Sequence, residues 1–214
     1  MCNDLDYWFK PIVLITGFGP YLNHPVNASW EAVKIMNKEE IERKHGVELV
    51  QIEMPVTYDN VDEFVPALWE THTPKLMIHV GVSSKGQCLQ LESQAHRKGY
   101  QKKDYFDKCP VNYTCLAEGA ISNSIRMEFG VDKCAVMHVK RGGIMESVGT
   151  QLSDSIHLRS LSSTETYKYL GMYLCEYIYY TSLSTDNTRT LFVHVPVIEI
   201  YSSEETARGL EFNS

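Results

Sequence analysis

PIVLITGFGP, residues 11–20, decides the architecture. Its first six residues form a short apolar run rich in β-branched side chains, the composition of a strand buried on both faces. Gly17-Phe18-Gly19-Pro20 then interrupts the run and reads as a loop. Just downstream, Asn27 or Ser29 can cap a helix whose apolar positions, Trp30, Ala32, Val33 and Ile35, recur at helical spacing. A buried strand followed by an amphipathic helix is the opening unit of an α/β fold.

The same alternation continues outward. Residues 47–54 predict a second strand, 61–69 a helix kinked or interrupted at Pro66, and 76–82 (LMIHVGV) a third, fully buried strand. Leu89 and Leu91 mark a further extended segment, and the polar, aromatic stretch 98–115 reads as a long surface loop. Residues 121–129 suit a helix and 134–139 (CAVMHV) a fourth core strand. The stretch 140–166, with adjacent Gly142 and Gly143, several serines and weak periodicity, reads as an insertion loop. Residues 167–183 are a strongly apolar helix candidate, 191–195 (LFVHV) the last strand, and 204–210 the beginning of a helix. This predicts a single α/β domain over 1–214, a mostly parallel twisted sheet with helices on both faces. In such sheets sites form at the carboxyl ends of the strands.

Bulk properties narrow the function. A chain of 214 residues, 43% hydrophobic, suits one compact core. The net charge of −7 is not gathered into blocks, so neither a nucleic-acid surface nor a polybasic membrane anchor is expected. Asp4 and Asp6 interrupt the N-terminal segment, which lacks the basic start and apolar run of a signal peptide. No apolar run approaches the roughly 18 residues of a membrane helix, and a cytoplasmic location is the expectation. The cysteines, Cys2, Cys88, Cys109, Cys115, Cys134 and Cys175, contain no CxxC pair, so neither a zinc ribbon nor a thioredoxin motif is supported. Gly17 and Gly19 lack Walker spacing, so a nucleotide-binding loop is not expected. Two glycosylation sequons, at Asn27 and Asn112, would be idle in a cytoplasmic chain.

Cysteine attack on a carbonyl needs a thiolate, an adjacent base and a group that orients the base. Cys175 precedes the helical run 177–183 and could use the positive end of a helix dipole. His194 ends a buried strand, and Glu92 lies in an extended segment. Residue types alone leave plainer readings open: a core cysteine, a structural histidine, a solvent-facing glutamate.

Wording adds a further signal. Ile15-Thr16-Gly17-Phe18-Gly19-Pro20-Tyr21, followed by Asn27-Ala28-Ser29-Trp30-Glu31-Ala32-Val33, closely resembles the start of the pyroglutamyl peptidase I family. His79-Val80-Gly81-Val82-Ser83, Leu91-Glu92 and Lys98-Gly99-Tyr100 resemble its next block. Tyr173-Leu174-Cys175 with Tyr179-Tyr180-Thr181-Ser182-Leu183, then Phe192-Val193-His194-Val195-Pro196, resemble the nucleophile and histidine blocks. The blocks run in the family's order. The resemblance implies a cysteine exopeptidase that removes N-terminal pyroglutamate from peptides by thiolate acyl transfer, without metal or cofactor. It implies Cys175 as nucleophile, His194 as general base and Glu92 as the residue orienting the imidazole. Phe18 would wall an apolar lactam pocket, with Tyr21 where the family usually has Phe; ordinary loop packing is the plainer reading of both.

Departures from the family leave a second expectation, a catalytically impaired member acting as a binding or interaction protein. Tyr169 and Leu170 replace a small acidic residue and an alanine ahead of Cys175, Ser93 replaces a common basic residue, and 140–166 has no counterpart. The chain also ends at Ser214, sooner than family members after the segment matching 204–210. Ser162-Ser163-Thr164-Glu165 spells a capping box that would start the helix near Ser163 and bury Cys175 about three turns inside it. Gly171 argues for a later start, and the helix is expected to begin close to it.

Overall fold

A computed structural model describes residues 10–21, 25–124, 149–151, 157–160 and 172–211. Their elements are β1 (Ile12–Phe18), α1 (Ala28–Ile35), α2 (Lys38–His45), β2 (Glu48–Met54), α3 (Tyr58–His72), β3 (Leu76–Val82), β4 (Leu89–Leu91) and β5 (Gln94–His96). β6 (Ser122–Ser124), β7 (Gly149–Gln151), β8 (His157–Ser160), α4 (Leu174–Thr185), β9 (Thr190–Val195) and α5 (Ser203–Leu210) follow. Seven strands form one sheet in the order β2-β1-β3-β9-β4-β8-β7, and β5 pairs with β6 in a separate ribbon. The β1–β2, β1–β3, β3–β9 and β4–β8 pairs are parallel, whereas β4–β9 and β7–β8 are antiparallel.

Neighbouring residues of a strand point to opposite faces, so each central strand feeds two cores. Leu14, Met77 and Phe192 join Trp69 of α3 and Tyr177 of α4 on one face. Ile15, Ile78 and Val193 join Val33 of α1 and Leu210 of α5 on the other. This is the expected α/β architecture with helices on both faces. Polar groups also knit the first face. Thr16 Oγ1 lies 2.8 Å from His79 Nδ1, His79 Nε2 2.7 Å from Ser182 Oγ, and Trp69 Nε1 donates to Ser182 Oγ at 3.1 Å. Burial pushes the His79 pKa down to about 3, so the ring is neutral and can accept one of these bonds.

Local chemistry explains the element ends. Asn27, not Ser29, is the N-cap of α1, its side chain accepting from the Ser29 N–H. β1 runs on through Gly17 and Phe18, beyond the expected stop at Thr16, because β2 continues the ladder to Phe18↔Met54. A Cβ on Gly17 would lie 2.7 Å from the Trp30 Cα, so only glycine lets α1 pack this closely. α3 begins at Tyr58, earlier than expected, because Thr57 caps it through the Asn60 N–H. It is not interrupted at Pro66, which lies on the exposed side where water can take the place of the missing donor. Ser202 and Glu205 form a reciprocal capping box at the start of α5.

Three further expectations are corrected. The helix expected over 121–129 is replaced at Ser122–Ser124 by β6, paired with β5. Serine and asparagine compete for backbone bonds in a helix, and Asn123 Nδ2 instead donates to the Leu183 carbonyl at 3.0 Å. The loop expected over 140–166 contains β7 and β8, which extend the open edge of β4. The loop over 98–115 is not wholly at the surface: Tyr100, Asp104 and Cys115 are buried. Asp104 anchors it by accepting from the N–H groups of Tyr58, Phe106 and Lys108. The strand expected over 134–139, the Ser162–Glu165 capping box, and Tyr169 and Leu170 lie outside the described residues.

Candidate active site

The register of three strands builds the centre of the site. β3 and β9 pair so that Gly81 lies beside His194, and β4 places Gln90 on the other side of His194. Directly paired residues project to the same face, here the face covered by α4. One residue beyond β4, the Glu92 N–H donates to the Phe192 carbonyl at 3.0 Å, which holds the glutamate against β9. Its Oε1 lies 2.6 Å from His194 Nδ1, with both side chains buried. Tyr179 steadies the same segment by donating to the Glu92 carbonyl at 2.9 Å. Glu92 Oε2 is buried without a hydrogen-bond partner, so the imidazole carries most of the compensation for this carboxylate.

Cys175 approaches from above the sheet. It is the second residue of α4, after an N-cap, Tyr173, that is extended and makes no side-chain cap bond. Met172 is left-handed (φ 49) and Tyr173 extended, so no helix passes through these two residues into Cys175. α4 instead begins close to the expected Gly171, and Cys175 occupies its first turn. The first backbone bond of the helix runs from the Tyr177 N–H to the Tyr173 carbonyl. The N–H groups of Leu174, Cys175 and Glu176 therefore precede the helical ladder and face any negative charge near the sulfur. Cys175 stands beside His194 and influences its charge state. Burial alone would push the His194 pKa down, but hydrogen bonds to Cys175 and Glu92, and their charges, outweigh it and raise the value to about 9.

A cavity of about 410 Å³ opens onto the sulfur, lined among others by Phe18, Tyr21, Val56, Tyr173 and Glu199. Its walls are mainly apolar. The Tyr21 and Tyr173 rings lie 5.9 Å apart, and both hydroxyls donate to the Lys103 carbonyl, at 3.3 and 3.1 Å. The phenols are thus tied to the 98–115 loop, and both residues line the cavity. Among the described residues no cluster of histidine, cysteine, aspartate or glutamate is suited to hold a metal ion.

A family model described as pyroglutamyl peptidase matches residues 11–97. Human pyroglutamyl-peptidase 1 is 37% identical over 202 residues, which cover 94% of this chain and 87% of that protein. The chain belongs to the pyroglutamyl peptidase family. Its fold is likewise that of solved members. The pyroglutamyl peptidase I of Bacillus amyloliquefaciens gives a TM-score of 0.69 at 19% identity, over 95% of this chain and 94% of that one. The pyrrolidone carboxyl peptidase of Thermococcus litoralis gives 0.70 at 16% identity, over 94% and 90%.

Against this family background, the structure brings together Cys175, His194 and Glu92 and sets Phe18 and Tyr21 in the cavity wall. Sequence reasoning missed Tyr173, Asn27 and Glu199 as cavity residues, and missed Glu176, which is buried next to Cys175 at the start of α4. Asn27 was legible only as a helix cap. Its Nδ2 also donates to the Gly19 carbonyl at 3.0 Å, which closes the Phe18 loop against α1.

Gly81 is the floor beneath the sulfur. A Cβ there would lie 2.7 Å from Cys175 Sγ and 2.7 Å from Phe192 Cζ. Phe192 is enclosed by the core and cannot yield, so the sulfur must. Gly81→Ala is expected to destabilise the fold by about 1–3 kcal/mol and to lower kcat by about 10–100-fold. Thermal unfolding and steady-state rates on a pyroglutamyl amide read the two effects; a kcat near wild type would mean that Gly81 does not set the sulfur's seat.

Proposed function

We propose that the protein is a cysteine exopeptidase that hydrolyses the bond after an N-terminal pyroglutamate, acting on peptides in the cytoplasm without a cofactor. The observation that carries this reading is the placement of Cys175 in the first turn of α4, over Gly81 and beside a histidine that Glu92 holds from behind, at the wall of an apolar cavity. Family membership supplies the substrate class. Placement in the first turn also favours an active enzyme over the impaired binding protein, since the dipole effect is confined to that turn.

The mechanism is acyl transfer. Cys175 gives its proton to His194, and the sulfur forms a bond to the pyroglutamyl carbonyl carbon. The N–H groups that open α4 are placed to receive the developing oxyanion. As the C–N bond breaks, His194 returns the proton to the leaving amine and the acyl group remains on sulfur. Water then adds with His194 as base, the C–S bond breaks, and pyroglutamate leaves with the thiol restored. Glu92 fixes the imidazole so that the nitrogen away from it faces sulfur and leaving group.

Pyroglutamate has no charged α-amine, which suits a cavity walled by Phe18, Tyr21 and Tyr173. A free N-terminal glutamine would have to lose the hydration of its ammonium group there. Purified protein is therefore expected to hydrolyse a fluorogenic pyroglutamyl amide and to discriminate against the glutaminyl amide by about 100-fold or more in kcat/KM. Equal rates on the two amides would overturn the substrate assignment.

A further inference from the structure

Cys175 is flanked by a second histidine–glutamate pair besides His194 and Glu92. Glu176, the next residue, is fully buried. Its Oε1 accepts from the His96 N–H at 3.0 Å and lies 2.7 Å from His96 Nδ1, while its Oε2 accepts from the Met172 N–H at 2.9 Å. Every one of these bonds ties the start of α4 to something outside the helix. His96 belongs to β5, eighty positions away in the chain. Met172 is the left-handed residue that turns the backbone into the helix.

That turn is costly without help. A left-handed conformation is unfavourable for a residue with a side chain, and Tyr173 supplies no side-chain cap. In a capping box the third helical residue reaches back to the N-cap N–H. Here Glu176 reaches one residue further, past Tyr173 to Met172. The Met172 side chain meanwhile fills the space above Gly99, itself at φ 111, where a Cβ would overlap the Met172 thioether sulfur. The turn is thus fastened from both ends, to Gly99 by packing and to β5 by a carboxylate.

We propose that Glu176, held by His96, is a positioning residue for Cys175: it locks the Met172 turn to β5, so that α4 starts at Leu174 and the thiol is delivered over Gly81 beside His194. The inference rests on the reading of Cys175 as nucleophile. Burying a carboxylate at this place is expensive, and burial pushes the Glu176 pKa up while the bonds from His96 and the backbone pull it down. An apolar residue would fill the same space without that cost, but it could not accept the Met172 N–H and the His96 N–H together. Glu176 itself touches neither the cavity nor the sulfur in the proposed chemistry, and its effect passes through the backbone.

The test compares wild type, Glu176→Gln and Glu176→Ala, measured well below their unfolding temperatures. The readouts are Tm, kcat and KM on a pyroglutamyl amide, and the rate at which iodoacetamide alkylates Cys175, followed by the mass of its peptide. Glu176→Ala is expected to lower kcat by about 100-fold with KM little changed, and to slow alkylation alongside it. Glu176→Gln, which can still accept from Met172 but carries no charge for His96, is expected to fall between the two. If the alanine variant does not fold, the glutamine variant decides by the same readouts. Unchanged kcat and alkylation with only a lowered Tm would overturn the proposal and leave Glu176 a merely structural group. Alkylation is read without substrate, so an inactive wild type would sink the substrate assignment while still testing the position of Cys175.

Discussion

Cys175→Ala is expected to abolish hydrolysis of pyroglutamyl amides, with kcat falling on the order of 10⁴–10⁶-fold. The reason is chemical. Alanine removes the atom that bonds to the carbonyl carbon, and neither His194 nor the helix N-terminus can form an acyl intermediate in its place. Stability should hardly change, since Cys175 is only partly buried and loses one atom at a cavity wall. KM should also stay near wild type if Phe18, Tyr21 and Tyr173 bind the lactam. Initial rates with the variant at high concentration measure the residual activity, and intact mass with a slow substrate looks for the acyl adduct. Appreciable turnover by Cys175→Ala, or an adduct at another residue, would refute the assignment.

The second large effect is expected for Glu92→Gln. Glutamine keeps the shape and can still face His194 Nδ1, but it removes the charge that favours the imidazolium and stops requiring a donor at Nδ1. A loss in kcat of about 10²–10⁴-fold is expected. A pH effect on stability accompanies it. The folded-state pKa of His194 is raised to about 9, above its ordinary value of about 6.5. Between those values the folded-state imidazole holds a proton that the unfolded imidazole does not. Its contribution to stability is therefore fully present below about pH 6.5, and is lost as pH rises through about 9. The slope can reach about 1.4 kcal/mol per pH unit. In Glu92→Gln the imidazolium keeps Cys175 but loses the carboxylate, one of the two groups that raise its pKa against burial, so the pKa falls and the alkaline loss should shrink. Urea unfolding across this pH range measures both slopes; parallel curves for the two proteins would show that Glu92 does not support the imidazolium.

Much of the framework is readable along the chain because side-chain period and burial are local properties. Residues 76–82 and 191–195 lack polar interruptions except for His79 and His194, and both become central strands. Those two histidines look alike in sequence, each in an apolar strand. His79 is locked between Thr16 and Ser182 in the interior, whereas His194 meets Glu92 and Cys175. Only the partners contributed by α4 and the segment after β4 tell them apart. The helix expected over 121–129 illustrates the opposite failure. Apolar residues at Ile121 and Ile125 suggest a helical face, but Ser122–Ser124 find backbone partners in β5 instead.

What the sequence by itself determined was the alternation of strands and helices, the α/β class, and the set of groups that family wording singled out: Cys175, His194, Glu92, Phe18 and Tyr21. These follow from patterns within a few residues of one another. The tertiary structure alone decided that β7 and β8 extend the sheet, that α4 starts at Leu174, that Gly81 is the seat of the sulfur, and that Glu176 is clamped to His96. Each depends on strand register or on a hydrogen bond between residues far apart in the chain, and local composition carries no record of which distant backbone will lie alongside.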